Sequence, residues 1–203
     1  MRISTGELSL RKGDIIMQSS AIKTPLGAFH AFADDHGLCR LLFPESPREL
    51  FSTETRQSES TNHPVFKKLA RQLNQYLRGE RRIFDLSIAP KGTPFQMQVW
   101  QLLLHIPYGE TKSYGDVATG MGNINKARAV GGAAHVNPLP IIIPCHRLIG
   151  KNSNLTGYAG GLKIKKYLLE LEHKTFSNEV EADPDISQVS LDSERSAAKR
   201  RSL

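Results

Sequence analysis

Apolar positions recur with two different periods along this chain, and the change of period divides it. In the first third they come in short runs. Residues 14–20, 27–33 and 38–43 carry β-branched or aromatic side chains and are separated by turn formers, Thr24-Pro25 and Asp34-Asp35-His36-Gly37, a pattern that predicts three strands. Residues 46–62 are polar and rich in Ser, Thr and Glu, which predicts an exposed connection. His63-Pro64 then opens a helical period, with Phe66, Leu69, Leu73, Tyr76 and Leu77 on one face and Gly79 as its stop. A short strand is expected over 83–88. The cluster Pro90-Lys91-Gly92-Thr93-Pro94 marks a domain boundary.

Beyond it the period is helical. Residues 95–105 place Val99, Leu102, Leu103 and Ile106 on one face and end at Pro107-Tyr108-Gly109. Two short helices, 113–121 and 126–135, are joined by Gly122-Asn123-Ile124-Asn125, and a last helix over 162–173 turns Ile164, Leu168 and Leu171 inward. After Phe176 the chain is polar and nearly free of aromatics, which predicts a disordered tail. The expected fold is therefore an α+β N-terminal domain, residues 1–92, with a small antiparallel sheet and one helix. A mostly helical domain with a helix-turn-helix follows over 93–175, then a tail over 176–203.

Composition narrows the functional classes. No apolar run approaches the roughly 18–20 residues of a membrane span. Charges at Arg2, Glu7, Arg11, Lys12 and Asp14 interrupt the start, so no signal segment is expected and the protein is placed inside the cell, without a membrane partner. Two cysteines, Cys39 and Cys145, are too few for a disulfide framework, and the seven histidines lack metal-ligand spacing. No metal and no cofactor is expected. The net charge is +7, and the acid-rich tail leaves the remainder more basic still, which suits a nucleic-acid partner.

Three segments carry candidate chemistry. In Ile141-Ile142-Ile143-Pro144-Cys145-His146-Arg147 an apolar, extended run delivers a cysteine beside two groups that can bear positive charge. Such neighbours ease formation of a thiolate, the nucleophilic form of cysteine. Adjacent side chains seldom face each other, so a water relay between Cys145 and His146 is the expected geometry. A buried structural cysteine is the alternative. The helices from Tyr114 to Asn137 suggest a helix-turn-helix whose second member, crowded with Ala and Gly, lets its backbone approach a partner, with Arg128 the long exception. An ordinary helical hairpin is the alternative. Thr156-Gly157-Tyr158-Ala159-Gly160-Gly161 can present backbone N–H groups to a ligand, with Tyr158 as a stacking side chain, and it lacks the Lys-Ser/Thr of a phosphate loop. Glu172, expected in the last helical turn, is either solvated or an orienter of His146.

Taken together, Pro144-Cys145-His146-Arg147, Arg128-Ala129-Val130-Gly131, Asn137-Pro138, Gly157-Tyr158-Ala159-Gly160-Gly161 and Lys166-Tyr167-Leu168-Leu169-Glu170 resemble the O6-alkylguanine-DNA alkyltransferase family, the methylated-DNA–protein-cysteine methyltransferases. The resemblance covers about residues 93–174. It implies DNA repair in which double-stranded DNA is held through its minor groove and O6-alkylguanine, and also O4-alkylthymine, is flipped out. The alkyl group then passes irreversibly to Cys145, one turnover per molecule. It further implies that His146 takes the thiol proton through water while Glu172 orients the imidazole and Asn137 braces the turn. Tyr114 would press on the phosphate and reach the flipped base, Arg128 would fill its place, and Ala127, Ala129 and Gly131 would lie against DNA. Tyr158 and the Ala159 amide would hold the base. A monomer, cytoplasmic or nuclear according to its source, completes the expectation.

The chain departs from some relatives at two points. Cys39 stands alone where some members bind an N-terminal zinc, and Ala159 replaces a serine, which bears on bulky alkyl groups. Two other classes stay open at this stage. One is a turnover thiol hydrolase using Cys145 and His146; the other is a non-enzymatic helix-turn-helix regulator that would tolerate loss of Cys145.

Overall fold

A computed structural model describes residues 17–47, 57–59 and 63–182. Strands β1 (Met17–Thr24), β2 (Gly27–Asp34) and β3 (Gly37–Leu42) form an antiparallel meander, and β4 (Gln57–Glu59) adds to the β1 edge in parallel, giving the order β3-β2-β1-β4. The first strand runs on to Thr24, past the expected end at residue 20, because every residue from Gln18 to Thr24 finds a partner on β2. Residues 14–16 lie outside the described residues. The turn into β3 needs Gly37: its φ is +139°, and a side chain there would run into the Ser87 carbonyl. The expected connection over 46–62 contains β4; residues 48–56 and 60–62 lie outside the described residues.

Helix α1 (Pro64–Leu77) starts where sequence placed it. His63 caps it by accepting from the Val65 amide, Pro64 fills the first position, and Gly79 follows its end at φ +77°. Its predicted face, Phe66, Leu69, Leu73, Tyr76 and Leu77, is buried, with α1 packed on β1. The strand expected over 83–88 does not form. The side chain of buried Gln72 takes both backbone groups of Asp85, at 2.8 Å each, which leaves a single bridge between Ile88 and Leu38.

In the second part α2 (Pro94–Leu104) opens with a reciprocal cap between Thr93 and Gln96. Val99, Leu103 and Ile106 are buried as expected; so is Trp100, whose indole N–H donates to the Ala133 carbonyl and ties α2 to the later helix that carries Ala133. Strand β5 (Lys112–Ser113) pairs in parallel with β6 (Leu148–Ile149). Between them stand α3 (Tyr114–Gly120), capped by Ser113 and Asp116, and α4 (Ala127–His135), linked by a turn over 121–126. The last helix, α5 (Gly161–Ala182), passes well beyond the expected end at His173. The start of the expected disordered tail, 176–182, is thus helical, and 183–203 lie outside the described residues. Glu172 therefore sits inside a helix and not in its last turn.

Buried apolar side chains form one continuous cluster from Phe29 and Leu41 on the sheet to Leu103, Ile143 and Leu168. Backbone and side-chain bonds stitch the same seam: Leu41 N–H donates to Pro138, and the Tyr167 hydroxyl donates to the Leu77 carbonyl. No helix among the described residues is long and apolar enough to cross a membrane.

Candidate active site around Cys145

The segment between α4 and β6 is a compact turn, not the extended run expected from its isoleucines. Ile143 N–H closes back on the Leu139 carbonyl at 2.8 Å, and Ile141 is forced to φ +73°. A β-branched residue in the left-handed region costs on the order of 1–3 kcal/mol. The turn holds because Leu139, Ile141, Ile142 and Ile143 are all buried and because Asn137 fastens it from inside. The Asn137 amide donates to the Ile143 carbonyl at 2.8 Å and to the Cys145 sulfur at 3.0 Å, while its oxygen accepts from Leu139 N–H at 3.0 Å.

Cys145, His146 and Arg147 then form a single 3-10 turn, and all three are buried. The tight turn sends successive side chains in different directions. Cys145 lines a pocket of about 370 Å³ together with Tyr114, Ala127, Arg128, Gly131, Tyr158 and Ala159. Ala129 is not on that wall; it lies exposed on α4. Tyr114 packs beside Gly131, where an added Cβ would sit 3.7 Å from its ring, and its hydroxyl accepts from Thr156 at 3.0 Å. The Tyr158 ring leans edge-on against Phe43, at the end of the sheet, with centroids 5.5 Å apart.

His146 and Arg147 point the other way, onto Glu172. The carboxylate accepts from His146 Nε2 at 2.8 Å, from Arg147 through Nε and Nη2 at 3.0 Å each, from the Gly109 amide at 3.0 Å, and from the Tyr76 hydroxyl. Burial alone would push the Glu172 pKa up, but His146 and Arg147 outweigh it and hold the value at about 2. An ionised Glu172 keeps the imidazole proton on Nε2. The other nitrogen, Nδ1, is buried without a hydrogen-bond partner among the described residues. Burial lowers the His146 pKa despite Glu172, so the ring is a neutral base with an open lone pair.

Burial pushes the Cys145 thiol up to about 11, against the opposing effects of Asn137 and of Lys165. Lys165 is itself fully buried, its own pKa lowered by burial, and it donates to the Thr156 carbonyl at 2.9 Å. A thiol with these neighbours stays protonated until a base removes its proton. Both cysteines are unpaired, and among the described residues no three metal-ligating side chains cluster.

Sequence reasoning brought most of this set forward but missed four members. Arg147 shows in sequence only as a positive neighbour of Cys145, and the fold makes it an ion-pair partner of Glu172. In sequence Tyr76 is one more residue of an apolar stripe. Lys165 and Phe43 gave no signal at all, since a lysine in a helix and an aromatic at a strand end are commonplace.

A mixed sheet joined to a helical part thus presents the protonated Cys145 thiol to one pocket, while the neutral His146 imidazole and the ionised Glu172 carboxylate pair with each other on the far side of the turn. Residues 17–90 match the ribonuclease-like domain of 6-O-methylguanine DNA methyltransferase, and residues 94–174 match the DNA binding domain of the same family. The methylated-DNA–protein-cysteine methyltransferase of Methanosarcina acetivorans is 44% identical over 77% of this chain and 98% of its own. The constitutive Bacillus subtilis protein of that name is 42% identical over 76% and 94%. The crystal structure of Mycobacterium tuberculosis O6-methylguanine methyltransferase superposes with a TM-score of 0.70 at 40% identity, covering 78% of this chain and 94% of that one. A structure of the M. tuberculosis protein in complex with DNA gives 0.67 at 40% identity, over 79% and 94%. The chain belongs to the 6-O-methylguanine DNA methyltransferase family.

Proposed function

We propose that this protein repairs DNA by moving an alkyl group from guanine O6, and from thymine O4, to Cys145, once per molecule. One observation carries the reading: Cys145 opens on a pocket of about 370 Å³, and the unpartnered Nδ1 of His146 lies within the same buried turn. Nδ1 takes the thiol proton through a water. The thiolate attacks the alkyl carbon, the S–C bond forms and the C–O6 bond breaks with its electron pair left on the base. The base takes up a proton in turn, so thiol proton and alkyl group exchange places.

A stacked base hides O6, so the nucleotide must be turned out of the duplex at a cost of a few kcal/mol. Arg128, exposed on α4, fills the gap it leaves, in the minor groove. Tyr114 presses on the phosphate, Ala127, Ala129 and Gly131 give the backbone a close approach, and Tyr158 and the Ala159 amide hold the base. Asn137 keeps the sulfur in place and Glu172 keeps the imidazole in its basic tautomer. The helical pair α3–α4 works as a helix-turn-helix, residues 1–92 and 93–175 as two domains. The protein acts as a monomer in the cytoplasm, or in the nucleus of a eukaryote.

Mixing the protein with an excess of duplex DNA carrying labelled O6-methylguanine tests the reading. Label should reach protein up to one equivalent and stop, because a thioether has no leaving group, and intact mass should place one methyl on the peptide holding Cys145. Continued product release from unmodified protein would instead indicate a hydrolase, and no transfer at all a regulator.

A further inference from the structure

Tyr76 belongs to the buried stripe of α1, and packing accounts for its ring, which lies against Phe84 and Tyr108 at centroid distances of 5.3 and 5.9 Å. Packing does not account for its hydroxyl. A buried hydroxyl needs a partner, and this one reaches out of the N-terminal part to two: it donates to Oε1 of Glu172 and lies 3.2 Å from Nε2 of His146. Oε1 is the same oxygen that accepts the imidazole proton at 2.8 Å. Tyr76 and His146 therefore draw on one concentration of negative charge.

We propose that Tyr76 is a positioning residue of the transfer reaction: by sharing Oε1 of Glu172 with His146, it limits how strongly the carboxylate holds the imidazole. His146 thereby stays neutral and Nδ1 stays a proton acceptor. The inference rests on the alkyl transfer proposed above and gives the N-terminal part a share in the chemistry. The groups facing His146 are Glu172 and Lys165 from α5, Arg147 from its own turn, Tyr158 from the loop before α5, and Tyr76. Glu172 favours an imidazolium; Arg147 and Lys165 oppose it. Removing only the Tyr76 hydroxyl concentrates the carboxylate charge on His146 and makes the ring easier to protonate.

The test uses the full chain with Tyr76→Phe, in single-turnover transfer from labelled O6-methylguanine duplex across pH, alongside the ¹⁵N titration of the His146 imidazole. The acid limb of the rate and the imidazole titration should both move up by roughly one pH unit. Affinity for lesion DNA should be unchanged, because Tyr76 does not line the Cys145 pocket. Phe84→Leu, which loosens the ring but spares the hydroxyl, should lower the melting temperature and leave both curves in place. Fluorotyrosine at position 76, a stronger donor of the same shape, should move both curves down, and it decides the matter if Tyr76→Phe does not fold. Curves that stay put in the fluorotyrosine protein and in a folded Tyr76→Phe overturn the proposal. A wild-type protein that takes up no label overturns the transfer reading instead, and the imidazole titration still judges Tyr76.

Discussion

Asn137 and Cys145 are bound side chain to side chain: the Asn137 amide donates to the sulfur at 3.0 Å while its remaining bonds close the turn that carries the cysteine. One residue thus shapes the backbone and favours the thiolate. Asn137→Ala leaves the Leu139 amide without its partner, at about 1–3 kcal/mol for a buried group left unsatisfied, while the Ile143 carbonyl keeps the Cys145 N–H at 2.8 Å. Calorimetry should show the lower melting temperature, and single-turnover transfer should slow at every pH. Unaltered transfer would remove Asn137 from the site.

The Cys145 pKa of about 11 makes a claim about the protein without substrate. A thiol raised by burial is protonated at neutral pH, so reaction with a small neutral electrophile should be slow. It should quicken about tenfold per pH unit through the mildly alkaline range. Mass mapping separates Cys145 from Cys39, whose thiol burial also pushes up to about 11. A rate already level near neutrality would contradict the assignment.

Glu172 links the site to stability. Its folded value of about 2 lies below the 4.5 of an ordinary glutamate, so it stabilises the fold above about 4.5, and that contribution is lost as pH falls toward 2. His146, whose folded value is lowered from 6.5, works in the same direction: the unfolded chain takes up its proton first as pH drops. Glu172→Gln breaks a buried ion pair with Arg147, which costs on the order of 3–5 kcal/mol. Urea titrations over acid pH should show a less stable variant whose stability also falls less steeply with acid.

Gly160 has no room for a side chain. An alanine Cβ would come within 2.7–2.9 Å of the Phe43 ring, which is buried and braces Tyr158. Gly160→Ala should cost about 1–3 kcal/mol by overpacking and weaken lesion binding through the displaced Tyr158. Phe43→Leu in the same chain should restore part of both; no recovery would mean that the strain lies elsewhere.

Arg128→Ala should slow repair of duplex DNA more than repair of a free O6-alkylguanine base, because the role proposed for the arginine is in extrusion and a free base needs none. Equal losses on the two substrates would sink that role.

Local pattern was enough for much of the frame. The β-then-helix order, the start of α1 at His63-Pro64 and its buried face follow from side-chain period and turn chemistry, which act over a few residues. The grouping of Cys145 with Tyr114, Arg128, Tyr158 and Ala159 came from resemblance to a family, not from spacing.

What sequence alone determined is therefore the β-then-helix order and the identity of Cys145's neighbours along the chain. Tertiary structure decided the rest. The isoleucine run became a strained turn because Asn137 and the surrounding core hold it there. The expected strand over 83–88 was lost to the Gln72 side chain. Glu172 acquired its role because α5 extends past it and buries it beneath Arg147, His146 and Tyr76. These outcomes depend on groups up to 96 residues apart in the chain, as Tyr76 and Glu172 are, competing for the same buried hydrogen bonds. A local period carries no record of that competition, since it is settled only when the core closes and each polar group must find a partner.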